Sequence, residues 1–266
     1  MQGETAKSAE GKTFTSVKAV GVAADRNARY RRTMEDAHVV LDGFAGDESQ
    51  GYFAIYDGHG GRQAVEFVAK SFHLNLEEAL KEHTDNVEEA WKATYKKTDD
   101  QIKENNIMYA GTTTVTALVR KKGEERWLYV ANAGDARAVL CRAGTGTVLT
   151  YEHKASDESE ASRVLAAGGF ITQNRVNGIL AVTRSLGDCA MKAYVLGDPY
   201  TSELKLEPTD THLILACDGL WDVCNEQEAV ELVKEEETPD AAAKKLLIHA
   251  LKNGSTDNIS VMVIVL

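Results

Sequence analysis

Aspartate recurs at the places where apolar, strand-like segments end or begin. Carboxylates that lie a few ångströms apart repel one another and raise one another's pKa unless a cation neutralises them. If the fold brings these segment ends together, the sequence therefore predicts a dense acidic centre that binds metal ions. The pairs are Glu35-Asp36 before AHVVL, Asp57-Gly58 after YFAIY, Gly134-Asp135 after WLYVANA, Gly187-Asp188 after LAVTRSL, Asp218-Gly219 after LILAC and Asp257-Asn258 before ISVMVIVL.

The predicted ligands are all hard oxygen atoms. The chain has neither a His-x-x-x-His pair nor a cysteine cluster, so the pattern favours Mg²⁺ or Mn²⁺ over zinc. Two such ions about 3.5–4 Å apart, bridged by a carboxylate, are a recurrent means of activating water to attack a phosphoryl group. Asp-Gly is also a common turn signal, so we expect Asp57-Gly58 to form a chain reversal that presents the carboxylate.

Amphipathic helices are predicted in two pairs. The first pair follows the YDGHGG stretch, with apolar residues at three- and four-residue spacing over 65–80 and 87–102. In the second pair, NEQEAVELVKEEE begins on Asn225 and TPDAAAKKLLIHALKNG begins on Thr238, with Pro239 at its first helical position. A shorter helix is expected between Asp157 and Gly168-Gly169, which supply its start and stop signals.

The sequence between the helix pairs is strand-like, and several segments are apolar at nearly every position, which is typical of strands buried on both faces. Because strands come in runs rather than alternating with helices, the pattern favours an α+β fold, a four-layer α-β-β-α sandwich of two antiparallel sheets flanked by helix pairs. No linker or repeat interrupts the chain, so we expect one domain over residues 1–266. The predicted strands are TTTVTALVR, RWLYVANAG, ARAVLCRAG, RVNGILAVTRS, THLILACD and NISVMVIVL.

Charge and composition exclude several classes of partner. The net charge of −11 argues against binding to nucleic acid or to an anionic membrane. Four cysteines without Cys-x-x-Cys spacing predict reduced thiols rather than a disulfide framework. The N-terminal MQGETAKSAEGKTF has no apolar signal core and no segment has the length of a membrane helix, so we expect a cytoplasmic or nuclear location. Nothing indicates oligomerisation, so a monomer is expected.

Eight motifs follow one another along the chain: RRTMEDAH, YDGHGG, AGTTTV, NAGDAR, AAGG, NGILAVTRSLGD, ACDGLWDV and STDNIS. In this order they resemble the metal-dependent protein phosphatases of the 2C type. The resemblance extends from about Arg31 to the C-terminus. It implies the same sandwich and the hydrolysis of phosphoserine and phosphothreonine in proteins, by attack of metal-bound water at a centre of two Mg²⁺ or Mn²⁺ ions.

The resemblance also implies which residues hold the two ions. Asp57 would bridge them, and Asp218 and Asp257 would complete the coordination of one. Glu35 and the carbonyl oxygen of Gly58 would serve the other, directly or through water. Each of these positions carries the required group.

Further acidic residues would support this centre. Asp36 would orient the ligands and their waters. By the same resemblance, a third and weaker ion would be held by Asp135, Asp218 and Asp222, with Asp188 as a further participant.

Two residues match the groups that act on the substrate. Arg31 corresponds to the arginine that binds the substrate phosphate, and a guanidinium fork suits two phosphate oxygens. His59 corresponds to the general acid that protonates the departing serine or threonine oxygen. A lone histidine is more often structural, and its place two residues after the bridging Asp57 favours catalysis here. The neighbouring Arg29 and Arg32 are expected to be solvated.

Residues 151–197 resemble the family's flap beside the active site. The usual DHKP motif of this flap is EHKA here, Glu152 to Ala155, which leaves flap conformation and substrate preference open.

Parts of the sequence are also compatible with two other functions. A pseudophosphatase that binds phosphoproteins without hydrolysing them is the alternative, but the four carboxylates of the two-ion centre are intact. A serine hydrolase would need a Gly-x-Ser-x-Gly elbow, and none occurs.

Overall fold

Two antiparallel sheets form the framework of the chain, which we describe from a computed structural model over residues 13–266. Residues 1–12, where the sequence predicts no signal peptide, lie outside the described residues. The strands are β1 Ala19–Asp25, β2 Asp36–Asp42, β3 Gly51–His59, β4 Gly111–Lys122, β5 Glu125–Ala133, β6 Arg137–Arg142, β7 Thr145–Val148, β8 Ile171–Thr172, β9 Arg175–Val176, β10 Leu186–Gly187, β11 Tyr200–Lys205, β12 Asp210–Ala216 and β13 Ile259–Val265. The helices are α1 Gln63–Glu82, α2 Val87–Glu104, α3 Glu158–Ala166, α4 Asp218–Trp221, α5 Glu226–Lys234 and α6 Pro239–Lys252.

The layers follow from how these elements bury their apolar faces. One sheet has the order β1-β13-β12-β6-β7, and the other has the order β11-β5-β4-β3-β2 with β10 paired to β4. Apolar side chains from both sheets pack together in the layer between them. The helices α1 and α2 cover the outer face of the second sheet, and α5 and α6 cover that of the first. The predicted four-layer α-β-β-α sandwich is confirmed.

Strand alternation aims the acidic residues into the layer between the sheets. Along β3, Tyr56 packs toward α1 and α2, whereas Phe53 and Ile55 pack between the sheets. Since successive side chains point to opposite faces, Asp57 extends the row of Phe53 and Ile55 at the end of the strand. Its antiparallel partner on β2 is Asp36. The end of the inter-sheet layer is therefore acidic.

The predicted chain reversal at Asp57-Gly58 is wrong. Both residues continue β3, which pairs with β4 as far as His59 opposite Gly111. The reversal comes afterwards at Gly60 and Gly61, whose φ angles of 70° and 116° lie in the region that glycine tolerates. Hydrogen bonding on both sides of β3 overrides the turn preference of the Asp-Gly pair.

The predicted flap, residues 151–197, is folded largely without long strands. RVNGILAVTRS was predicted as one strand, but only Arg175–Val176 forms a strand, paired with β8, and Leu180, Val182 and Arg184 form isolated β-bridges. The apolar residues of this stretch pack instead in a small separate core with α3. The short helix itself is confirmed, and the side chain of Asp157 caps it by accepting from the backbone N–H of Ser159 and Glu160. The single-domain boundaries 1–266 stay a prediction.

Helix capping agrees with the sequence signals at the C-terminal pair. Asn225 accepts from the backbone N–H of Glu228, and Thr238 accepts from that of Ala241 with Pro239 at the first turn. None of the helices in residues 13–266 has the length and apolar character required to cross a membrane.

Phe72 offers a test of the packing that supports β3. Its ring is fully buried, 4.9 Å from the Tyr95 ring centroid and 6.0 Å from that of Tyr56 on β3. We expect Phe72→Ala to lower the free energy of unfolding by roughly 3–5 kcal/mol, because it leaves a cavity among these aromatic rings. On the same helix, Leu74→Ala should change it by less than about 0.5 kcal/mol, since Leu74 is 55% exposed. If urea unfolding shows the same loss of unfolding free energy for Phe72→Ala and Leu74→Ala, this layer is not packed as described.

Candidate metal centre

An acidic cleft of about 280 Å³ opens at the end of the inter-sheet layer. It gathers residues from the segment before β2, from β3 and β4, from the segment after β5, from the flap, from the start of α4 and from the segment before β13. Eight of the nine residues predicted as catalytic or metal-binding line this cleft, and the ninth, Asp222, does not. The lining comprises Arg31, Thr33, Glu35, Asp57, Gly58, His59, Thr113, Asp135, Arg175, Leu180, Ala181, Val182, Asp218, Asp257 and Asn258.

Asp57 lies at the middle of this negative charge. Burial raises its pKa well above the usual range, and the carboxylates of Asp36, Asp218 and Asp135 raise it further. Burial likewise raises the pKa of Asp36 to about 6. The residues around Asp57 thus favour either a proton or a cation at its carboxylate.

Asp218 and Asp257 face the same space from the other sheet. Burial first, and then Asp135 and Asp257, raise the pKa of Asp218 to about 8. The Oδ1 atom of Asp218 is buried and has no hydrogen-bond partner among the described residues. Asp257 forms an ion pair with the guanidinium of Arg31, which also donates to the carbonyl oxygen of Thr256 at 3.3 Å. The charge of Asp257 is thus partly compensated, whereas that of Asp218 is not.

The Glu35 segment is held against β3 by backbone contacts. The N–H of Gly58 donates to the carbonyl oxygen of Glu35 at 3.1 Å, and a Cβ at Gly58 would lie 2.5 Å from that oxygen, so only glycine fits this approach. The side-chain oxygen of Asn258 accepts from the backbone N–H of Glu35 at 2.8 Å, and its amide donates to Arg26 and Thr33. Asn258 therefore fixes the segment that carries both Arg31 and Glu35.

These side chains fit hard divalent cations. They supply several carboxylate oxygens in one cleft and leave a buried oxygen of Asp218 without a donor, which is the combination that Mg²⁺ or Mn²⁺ satisfies. Cys217 also approaches Asp36 and Asp57, with one potential ligand atom of each residue within 4.8 Å of the others. Burial and the adjacent carboxylates raise the pKa of the Cys217 thiol well above the usual range.

His59 is paired with a residue for which the sequence predicted another role. Its Nε2 atom lies 2.7 Å from Oδ2 of Asp188, and the hydroxyl of Ser185 donates to the same oxygen at 2.5 Å. A Cβ at Gly111 would lie 2.1 Å from this oxygen and 2.6 Å from the imidazole nitrogen, so glycine leaves room for the pair. That Asp188 takes part in a third metal site stays a prediction; its Oδ2 atom is engaged by His59 and Ser185.

The predicted third site already contains a cation of the chain itself. The Lys154 ammonium lies 3.8 Å from Asp135, 3.3 Å from Asp222 and 3.2 Å from Glu152. Burial raises the pKa of Asp135 to about 6 although Lys154 opposes the rise. Asp222 is more exposed, with 59% of its side chain accessible. The lysine and an ion at this place would compete for the same two carboxylates.

Two residues of the cleft had not been singled out from the sequence. Thr113 on β4 is buried, and its hydroxyl has no hydrogen-bond partner among the described residues. Arg175 reaches the cleft from the flap and donates to the carbonyl oxygen of Ile179 at 2.7 Å. For Arg175 the available signal was a basic side chain in the predicted flap, and for Thr113 it was the AGTTTV motif that contains it.

Comparisons with known proteins agree with the motif pattern. Residues 20–259 match the sequence model of the family described as Protein phosphatase 2C. The chain is 43% identical to Protein phosphatase 2C homolog 1 of Saccharomyces cerevisiae over 93% of both chains. It is also 43% identical to Protein phosphatase 2C homolog 1 of Schizosaccharomyces pombe, over 92% of this chain and 72% of that protein. A serine-threonine phosphatase 2C structure from Toxoplasma gondii has a TM-score of 0.81 at 23% identity, covering 96% of each chain, and supports the fold.

The raised pKa of Asp218 predicts how the metal-free protein responds to pH. In the folded chain Asp218 keeps its proton up to a pKa of about 8, whereas in the unfolded chain it loses the proton at its ordinary pKa of 3.8. The resulting contribution to the free energy of unfolding is complete below pH 3.8 and is lost as pH rises through about 8. Asp218→Asn carries no charge and should therefore raise the melting temperature at pH 8 in EDTA by a few degrees, with less effect at pH 5.

The control for this comparison is Asp100→Asn, an exposed aspartate on α2 whose surface ion pair with Lys96 contributes little, so both melting temperatures should stay nearly unchanged. Scanning calorimetry of the EDTA-treated proteins measures the difference. A lower melting temperature for Asp218→Asn at pH 8 would contradict the described burial and repulsion of this carboxylate.

Proposed function

Because the chain belongs to the protein phosphatase 2C family, we propose that its acidic cleft is the centre at which phosphoserine and phosphothreonine in proteins are hydrolysed. The chain is a metal-dependent protein serine/threonine phosphatase, and phosphoproteins are its class of substrate. The observation that carries the assignment to this cleft is the convergence of Glu35, Asp57, Asp218 and Asp257 on it. The pseudophosphatase alternative has no support in any relative found.

We propose Mg²⁺ or Mn²⁺ as the ions and two as their number in the central site. Asp57 would contribute to both, with Asp218 and Asp257 on one side and Glu35 with the Gly58 carbonyl on the other. When bound, such ions neutralise the carboxylates, polarise the phosphoryl oxygens and lower the pKa of water. Asp36, which pairs with Asp57 across β2 and β3, would keep that carboxylate in position.

Arg31 is proposed to bind the substrate phosphate. Its guanidinium pairs with Asp257 in the metal-free arrangement, with 49% of the side chain exposed at the cleft. Neutralisation of Asp257 by a cation would weaken this pair and leave the guanidinium fork for two phosphate oxygens. Binding of the metal and binding of the phosphate are in this way coupled through one arginine.

His59 is proposed as the general acid, with Asp188 as the residue that positions it. The bond from His59 Nε2 to Asp188 leaves Nδ1 as the ring atom that can carry a proton to the departing serine or threonine oxygen. The contact with the Asp188 carboxylate fixes the orientation of the imidazole ring. The hydroxyl of Ser185 and the glycine at position 111 fix the carboxylate and keep space for the ring.

A third ion at Asp135, Asp218 and Asp222 remains part of the proposal. It requires Lys154 to give up its contacts with Asp135 and Asp222, so this site should be the weakest of the three. Neither a nucleic acid nor a membrane is proposed as a partner, in view of the net charge of −11. We also propose a monomer located in the cytoplasm or nucleus.

The metal requirement of the cleft can be tested by hydrolysis of p-nitrophenyl phosphate and of a phosphothreonine peptide. Both reactions should proceed with Mn²⁺ or Mg²⁺ and stop in excess EDTA. Asp57→Asn should lower kcat at least about a hundredfold, because the loss of the bridging carboxylate removes several kcal/mol of metal-dependent stabilisation. Asp100→Asn on the exposed face of α2 is the matched control and should retain full turnover. Normal turnover by a folded Asp57→Asn protein would refute the proposed centre.

The general-acid role of His59 predicts a dependence on the leaving group. His59→Gln should slow hydrolysis of the phosphothreonine peptide about 10²–10⁴-fold and that of p-nitrophenyl phosphate much less, because nitrophenolate leaves without protonation. Asp188→Asn should give the same pattern with smaller factors, since it disturbs the imidazole indirectly. If both substrates slow equally in both variants, neither residue serves proton transfer.

A further inference from the structure

A second group of potential metal ligands lies outside the acidic cleft, where α5 meets α6. Cys224 stands in the segment between α4 and α5, Glu228 is in the first turn of α5, and His249 is in the second half of α6. One ligand atom from each of these residues lies within 4.8 Å of the other two. None of the three was singled out in the sequence, because they are separated by up to 25 positions and only the helix pair brings them together.

The arrangement of the imidazole and the carboxylate leaves a place for a cation. Nε2 of His249 lies 3.4 Å from Oε1 of Glu228. The amide nitrogen of Asn253 approaches the same Nε2 atom at 3.0 Å and donates to the carbonyl oxygen of His249 at 2.9 Å. A neutral Nε2 atom has a single lone pair, so a cation bound to it would take the place of the Asn253 contact. Nε2 of His249 and Oε1 of Glu228 are then close enough to bind one cation together.

The donor set is that of a zinc site. It combines one sulfur, one nitrogen and one oxygen, whereas Mg²⁺ and Mn²⁺ prefer oxygen alone. Tetrahedral zinc with its usual bond lengths separates such donors by about 3.3–3.6 Å, which agrees with the distance between His249 and Glu228. The Cys224 sulfur lies within 4.8 Å of both other ligand atoms, so a small movement of its side chain brings it to bonding distance of the ion.

Access and burial also suit a metal site with three protein ligands. Cys224 is 4% exposed, and its thiol donates at 3.6 Å to the carbonyl oxygen of Asn225. The His249 side chain is 18% exposed and that of Glu228 is 42% exposed, so an ion can enter from solvent on the carboxylate side. Water would complete the fourth position. Binding would replace the thiol proton, which is released to solvent.

We infer that Cys224, Glu228 and His249 form a Zn²⁺ site that clamps the start of α5 to α6. The site is separate from the phosphatase centre in ligand chemistry. The clamp joins two supports of that centre, because Cys224 follows the helix that begins at Asp218, and α6 packs against β13, which begins just after Asp257. Zinc bound here should stabilise the fold, and turnover should not require it.

Cobalt substitution tests this site by a signal that activity cannot produce. With the full chain held in excess Mg²⁺, one equivalent of Co²⁺ should give a near-ultraviolet charge-transfer band from a thiolate ligand, and Zn²⁺ should abolish the band by displacement. Cys224→Ser should lose the band, and His249→Ala should weaken Co²⁺ affinity at least about tenfold, which is the lower bound known for residues that merely support a ligand. Cys189→Ser, at a half-buried thiol elsewhere, is the matched control and should keep the band.

Stability gives a second readout. One equivalent of Zn²⁺ should raise the melting temperature of the wild-type chain but not that of Cys224→Ser. Unchanged p-nitrophenyl phosphate turnover with Mg²⁺ identifies variants that are folded. If Cys224→Ser or His249→Ala fails this check, Glu228→Gln replaces it and should weaken Co²⁺ affinity by a similar factor. The inference is overturned if the wild type gives no sulfur band, or if the band persists in Cys224→Ser. Loss of phosphatase activity alone would bear on the cleft and not on this site.

Discussion

Mutual repulsion among buried carboxylates is the interaction on which the rest of the structure depends. Asp57, Asp36 and Asp218 all have raised pKa values, with burial as the first cause. The charges of neighbouring carboxylates raise all three further, Asp36 and Asp218 acting on Asp57, Asp135 on Asp218, and Asp257 on Asp36. Such a group would separate or take up protons if its backbone were free to move. The buried residues 51–56 of β3 and 213–217 at the end of β12 prevent this by fixing the chain directly before Asp57 and Asp218. The sandwich therefore keeps these carboxylates close together, although their negative charges repel one another unless a cation is bound.

The chain's own cations compensate only the flanks of this cluster. Arg31 pairs with Asp257, and Lys154 lies between Asp135 and Asp222. Among residues 13–266, no lysine or arginine forms an ion pair with Asp57 or Asp218. The uncompensated charge thus lies at the centre, where the proposed ions belong. This distribution gives a physical reason for the metal dependence of the family to which the chain belongs.

The sequence predicted the central strands and the acidic residues well because both signals are local. Apolar runs identified β4, β5, β12 and β13, and the carboxylates next to them followed directly. Pairing across the fold was not accessible in the same way: Asp188 meets His59 from 129 positions away, and β3 extends through Asp57-Gly58 only because two neighbouring strands bond to it. In the flap, Val176 and Leu180 of RVNGILAVTRS pack with α3, and only the two-residue β9 joins a sheet, so composition alone misidentified the stretch as one strand.

The central claim is that the carboxylates of the cleft hold divalent ions. Crystals of the protein grown with Mn²⁺ would test it most directly by anomalous diffraction recorded on both sides of the manganese absorption edge. We expect manganese peaks in the cleft, with a carboxylate oxygen of Asp57 as a ligand of each central ion and Asp218 and Asp257 as ligands of one. An active, manganese-loaded crystal in which the peaks lie elsewhere and Asp57 contacts only protein groups would contradict the account.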